Sequence, residues 1–214
     1  MKKINFLFVL LVCASMFVQA QEPSNSPYVL PKFERSQVFL KNGDTIVKAI
    51  NYNAVTEEMV FQQGGLMLAL DNLDQVSQVL AGEHIFVLVN GKFYEKIGNW
   101  ADGLLTYYKY RVLPPSAPAA YGSDGGSTSA TNWTSLTDKA TLYQFSLPDK
   151  FKIIRIQEFY LNKGGVLNKV STFSQVASLF PNKKAALKAL IKEKHLKFDN
   201  ASDLKTIIGF CYGN

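Results

Sequence analysis

An asparagine-glycine pair set between two short apolar runs constrains this chain more than any other feature. His84–Val89 and Lys92–Ile97 flank Asn90-Gly91. Asn-Gly readily takes the positive φ values that a two-residue type I′ turn needs, so the runs are expected to fold back as a hairpin. The register then sets Leu88 opposite Phe93 and Val87 opposite Tyr94. Both faces of the first run are apolar, which places it in the middle of a sheet. A second pair, Asn42-Gly43, lies between Ser36–Leu40 and Thr45–Tyr52. The same turn there sets Lys41 against Asp44, Leu40 against Thr45 and Phe39 against Ile46. Glu58–Gln62, Gly65–Leu70 and Gln75–Leu80 read as further short strands. Leu104–Val112, with Tyr107, Tyr108 and Tyr110, suits a strand with one half-wet face. Residues 35–113 thus form a β-rich region.

Composition breaks next. Residues 114–138 are rich in Pro, Gly, Ser, Thr and Ala and build no core of their own, so they read as a loop or linker, with Tyr121 and Trp133 as docking points. Residues 139–214 return to pattern. Ala140–Leu147, Phe151–Leu161 and Val166–Val170 read as strands, the last two joined through Asn162-Lys163-Gly164-Gly165. Ser174–Phe180 is a short helix ended by Pro181. Asn182 is expected to cap a helix from Lys183 to about Lys194, and Asn200 or Ser202 one over Asp203–Tyr212. In the last helix Leu204, Ile207, Ile208 and Cys211 fall on one stripe, so Cys211 is expected to be buried and inert. The expected class is α+β: an N-terminal antiparallel β region, a connection, then strands and a small helical cap.

The N-terminus reads as an address. Lys2 and Lys3 precede an apolar stretch from Ile4 to Val18, and Val18-Gln19-Ala20 places small residues at −3 and −1 before Gln21. Residues 1–20 are therefore expected to be a secretory signal peptide. Residues 21–34, with Pro23, Pro27 and Pro31, are expected to be an extended, poorly packed leader. No later segment suits a membrane-spanning helix, and the Lys-rich helical ending runs against an outer-membrane barrel. Cys13 leaves with the signal peptide, and Val12 before it spoils a lipidation site. Cys211 then stands alone, so the expected mature chain has no internal disulfide and its core must stabilise it unaided.

Charge is uneven. Residues 21–138 carry 8 basic and 12 acidic side chains, a net of −4, whereas residues 139–214 carry 13 and 5, a net of +8. The basic half suits either solvated helix faces or an acidic partner such as an anionic envelope glycolipid.

Most familiar chemistries lack their residues. His84 and His195 are the only histidines, and no HExxH, histidine pair or cysteine cluster supports a metal site. Asp71 and Asp74 around Asn72 lack the EF-hand pattern and read as a solvated turn. There is no G-x-S-x-G, and Gly64-Gly65 and Gly125-Gly126 make no phosphate loop. Glu83 and His84, as strand neighbours, point to opposite faces. Glu57, Glu58, Glu95 and Glu158 are the carboxylates from which a glycosidase pair would have to come. Tyr108 and Trp133 are the candidates for stacking on sugar rings. Lysines not interleaved with aromatics, and few arginines, argue against nucleic acid. No catalytic, cofactor or metal residue is assigned.

Asn51-Tyr52-Asn53-Ala54, Glu58-Met59-Val60-Phe61, Leu70-Asp71-Asn72 and Phe93-Tyr94-Glu95 resemble stretches of small exported proteins of Bacteroidota that have no assigned activity. The ending from Phe180-Pro181-Asn182-Lys183-Lys184 through Ile191-Lys192 to Phe198 is similar to C-terminal ends in that phylum's envelope proteins. The resemblance implies export in a Gram-negative cell and supplies no catalytic residues. The expected function is a non-enzymatic binding or interaction protein, periplasmic or secreted, with an envelope protein or glycan as partner. The alternatives are a glycan hydrolase acting through paired carboxylates and an assembly component of an envelope complex.

Overall fold

The computed structural model describes residues 26–98, 103–113, 143 and 152–213. The chain is α+β. Among the described residues ten strands form one antiparallel sheet: β1 Glu34–Leu40, β2 Thr45–Asn53, β3 Glu58–Gln63, β4 Leu66–Ala69, β5 Val76–Ala81, β6 His84–Val89, β7 Lys92–Ile97, β8 Leu104–Leu113, β9 Lys152–Lys163 and β10 Val166–Val170. Three helices follow: α1 Phe173–Leu179, α2 Lys184–Glu193 and α3 Ala201–Tyr212. The spatial order is β10-β9-β8-β7-β6-β5-β1-β2-β3-β4, so two meanders meet where β5 pairs with β1. The linker expected at 114–138 lies outside the described residues. The sheet nevertheless runs through both flanking regions, because β8 and β9 pair over ten residues each. Of the strand expected at Ala140–Leu147 only Tyr143 is described, and its backbone is helical.

The two asparagine-glycine pairs behave differently. Asn90 and Gly91 have φ of 51° and 76°, and the register is the expected one, with Leu88 opposite Phe93 and Val87 opposite Tyr94. At the first hairpin only Gly43 has positive φ. Gly43 N–H donates to Leu40 O at 3.1 Å and Leu40 N–H to Asp44 O at 2.8 Å. The loop is thus Lys41-Asn42-Gly43, a turn with glycine in the left-handed position, and the pairing moves by one residue. Phe39 meets Thr45 and Val38 meets Ile46. Asn42 favours this form, since its side chain accepts from Asp44 N–H at 3.0 Å. A one-residue shift reverses which side chains share a face. It is the true register that brings Val38, which is fully buried, onto the core side.

One face of the sheet carries two adjoining cores. Val38, Ile50, Tyr52, Met59, Val79, Phe86 and Phe93 form the first. Leu104, Phe159, Leu161 and Val170 form the second, covered by the helices through Val176, Leu187, Leu204, Ile207, Ile208 and Cys211. The α3 stripe is buried as its spacing implies. Asn200 caps α3, accepting from Ser202 and Asp203 N–H at 2.9 and 3.1 Å. Asn182, by contrast, lies inside a 3₁₀ turn over Pro181–Lys183, and α2 starts after Lys183 with no side-chain cap. Pro181, at the start of that turn, sets its φ and shifts the helix start past Asn182. Lysines supply the opposite helix ends. Lys163 Nζ donates to Leu179 O at the end of α1, and Lys183 Nζ to Phe210 O near the end of α3 at 3.1 Å. Both are cations placed on carbonyls where the helix dipole favours them.

Of the leader expected at 21–34, the described residues before β1 are docked, contrary to the expectation of loose packing. Val29 N–H donates to Tyr52 O at 2.9 Å, and the Asn51 side chain accepts from Leu30 N–H at 3.0 Å. Leu30 is only 4 % exposed. Asn51 supplies the donor and acceptor that let an irregular backbone be buried. Among the described residues no helix is long and apolar enough to cross a membrane.

Candidate functional site

Three separate clusters of ionisable side chains stand out on the described part of the sheet. The most buried centres on Glu95 of β7, 6 % exposed. Phe86 on β6 and Thr106 on β8 lie opposite Glu95. Side chains two residues from these partners share its face, which places His84 and Tyr108 diagonally on either side. His84 Nδ1 lies 2.6 Å from Glu95 Oε1, and Tyr108 donates its phenol proton to Glu95 Oε2. Burial, and next the Glu95 charge, push the Tyr108 phenol far above its ordinary range. In a neutral ring that gives Nδ1–H to the carboxylate, Nε2 would be the acceptor nitrogen, and 43 % of the His84 side chain is exposed. Such an imidazole is oriented like a general base. Among the described residues no serine or cysteine is hydrogen-bonded to it, and no group of three metal-ligating side chains forms.

The second cluster plugs a gap. β7 and β8 pair only from Glu95–Ile97 to Leu104–Thr106. Beyond that they separate, and Ala54 O accepts from Tyr110 N–H at 2.7 Å. Glu57, held at φ 62°, reaches Lys92 of β7 at 3.4 Å and Lys109 of β8 at 3.7 Å. Burial, and next a hydrogen bond with Glu57, raise the Tyr107 phenol. The third cluster is on the same outer face. Glu158 accepts from Lys169 Nζ at 2.6 Å and from the Tyr160 phenol at 2.8 Å. Those contacts hold its carboxyl below the ordinary range, the Lys169 bond most of all. Glu58 accepts from the Tyr143 phenol at 2.5 Å. The four carboxylates considered for catalysis therefore each engage different partners.

Tyr108 is no open stacking platform, because its ring is half-buried and its hydroxyl is committed. Trp133 and Tyr121 lie outside the described residues. Tyr107 and Tyr110 are buried. Asp71 and Asp74 flank Asn72 in an exposed turn where Gln75 N–H donates to Asn72 O at 2.9 Å. His195 is exposed just beyond α2, at φ 50°.

The helical cap carries a feature of another kind. A groove of about 270 Å³ runs between α1 and α2. Phe173 and Ala177 of α1 face Leu187 and Ile191 of α2 across it, and Ser174, Lys184 and Lys188 stand along its rim. Leu187 is fully buried at its base. Phe173 is fixed edge-on against Phe198, with ring centres 5.4 Å apart. Thr172 and Gln175 form a capping box that starts α1 and sets the entry of Phe173. Among the described residues neither Lys184 nor Lys188 forms an ion pair. Lys163 and Lys183, by contrast, are occupied by carbonyls. An apolar concavity with a few polar groups at its edge is the usual form of a small-molecule site.

Sequence reasoning missed the groove and the His84–Glu95 contact. The second was within reach, since the Asn90-Gly91 register already places Glu95 opposite Phe86 and so on the face of His84. The groove had a partial signal in the Leu187 and Ile191 stripe beside the Lys184 and Lys188 row, but the spacing of α1 from α2 is a tertiary property. No protein-family model, curated protein or solved structure matches this chain.

Proposed function

We propose that this chain is an exported, non-enzymatic binding protein of the cell envelope, and that its helical cap is the binding element. The observation that carries this reading is the apolar groove between α1 and α2 with two lysines at its rim that form no ion pair among the described residues. Elsewhere in the sheet polar groups are spent on one another: Glu57 on lysines, Glu58 on a phenol, Glu95 on His84 and Tyr108, Glu158 on Lys169 and Tyr160. A glycan hydrolase needs two carboxylates facing each other across a cleft that admits the sugar. These four have separate partners, so that alternative has less support. The assembly reading rests on exposed apolar side chains on the edge strand β4, Leu66 at 58 % and Leu68 at 37 %.

Export is supported by the basic, apolar and small-residue order of residues 1–20. Fractionation of the native host tests both parts. The expected result is a chain beginning at Gln21 outside the cytosol, crosslinked to an envelope component through a photoreactive group placed at Ser174. An intact N-terminus on protein purified from cytosol overturns it.

A further inference from the structure

The groove has a size, a lining and a charge, and together they narrow what fits. At about 270 Å³ it lies at the lower bound of ordinary ligand cavities, about 300 Å³. An α-helix with its side chains is about 10–12 Å across and too wide for such a space. A flexible single hydrocarbon chain is not. The walls, Phe173, Ala177, Leu187 and Ile191, offer no hydrogen-bonding side chain, so the buried part of the ligand must be apolar. The rim is cationic: Lys184 and Lys188 are one helical turn apart, their ammonium groups have no partner among the described residues, and Lys192 continues the row. Lysine stems also line apolar surface while the charged head stays in water. The surface is concave, which suits extraction of one molecule into the protein rather than insertion of the protein into a bilayer.

We infer that the α1–α2 groove binds a free single-chain carboxylate amphiphile, its hydrocarbon tail lying along Phe173 and Ile191 and its carboxylate held by Lys184 and Lys188. This inference rests on the proposed binding role and adds the chemical class of the ligand. Affinity then comes from tail burial, and discrimination comes from the two ammonium groups. A cationic amphiphile with the same tail is rejected, because its head meets like charge.

Calorimetric titration of the full chain after Ala20 with monomeric dodecanoate tests this, with dodecyltrimethylammonium as the charge-reversed probe and phosphatidylglycerol vesicles as the bilayer probe. Dodecanoate is expected to bind one to one and to weaken with added salt. Lys184→Glu with Lys188→Glu should weaken it by about tenfold or more while circular dichroism stays unchanged. Ile191→Trp, at a half-buried position of the groove wall, should block the groove and abolish binding. Equal binding of the two detergents, or indifference to the lysine reversal, overturns the carboxylate assignment. Binding to vesicles without binding to monomeric dodecanoate overturns it in favour of a membrane surface. If dodecanoate fails to bind while the Ser174 crosslink to an envelope component persists, the ligand class is wrong and the binding role stands. Loss of the crosslink as well removes both.

Discussion

Glu95 sits almost wholly out of water with two donors converging on it, and its surroundings make each donor expensive to lose. Tyr108→Phe leaves the shape of the ring intact and deletes one hydrogen bond to the carboxylate. Urea denaturation is expected to show a loss of about 1.5–3 kcal/mol, the range for bonds to charged groups. A loss below about 0.5 kcal/mol would mean that water replaces the phenol. At Glu158 the Lys169 contact holds the carboxyl low, with burial opposing and Tyr160 assisting. A folded pKa below the unfolded one adds stability that is present above the ordinary carboxylate range and fades as pH falls through the lower, folded value. Lys169→Met should move the Glu158 titration back up, read by carboxyl NMR, and an unmoved titration would show that the pair is not formed in solution. Tyr28 works in the opposite direction. Burial pushes its phenol up to about 12. Its contribution is therefore complete below the ordinary tyrosine value of about 10 and disappears as pH rises toward about 12. Absorbance titration should find this phenol ionising late, together with alkaline unfolding. Cys211 was legible at this scale because its burial follows from one helical stripe. The groove-lining side chains were not, because Phe173 and Ile191 meet only after two helices have packed.

At the scale of elements, local chemistry decided the outcome wherever a single motif sufficed. Asn90-Gly91 forms its two-residue turn, and the register followed from the sequence. Asn42-Gly43 has the same two letters, but it is followed by Asp44, whose carboxylate accepts from the Asn42 side-chain amide at 2.7 Å where Lys92 offers no acceptor, and a three-residue loop results. Two turns of nearly equal stability are separated by one such contact, which pattern reading does not weigh. The helix caps divide in the same way. Asn200 caps α3, whereas Asn182 loses that role to the turn begun by Pro181. Asn200→Ala is expected to cost about 1 kcal/mol, read as a lower urea midpoint with an unchanged slope. No change would show that water satisfies Ser202 and Asp203 N–H equally well.

Across the whole molecule, the strands were legible and their order was not. β4 ends the first meander at the sheet edge, yet the next strand, β5, pairs with β1 instead. Nothing in a strand's own residues names a distant partner, so such a choice emerges only from the combined burial of Val38, Val79 and Phe86. The sheet then carries the chain across the expected 113/139 division. Because β9 covers β8 along its full length, a fragment ended at Leu113 should leave a ten-residue edge unpaired and Leu104 uncovered. It is expected to aggregate or stay unfolded, whereas a soluble, cooperatively melting fragment would mean that the first core folds alone. Cys211 gives this architecture a built-in stopwatch. If residues 1–20 are removed it is the sole thiol, and it is sealed between α3 and the sheet with its thiolate disfavoured by burial. An alkylating reagent reaches it only while the cap is lifted, so the labelling rate of native protein times that opening directly, without any added probe. An occupant lodged between α1 and α2 should slow the clock.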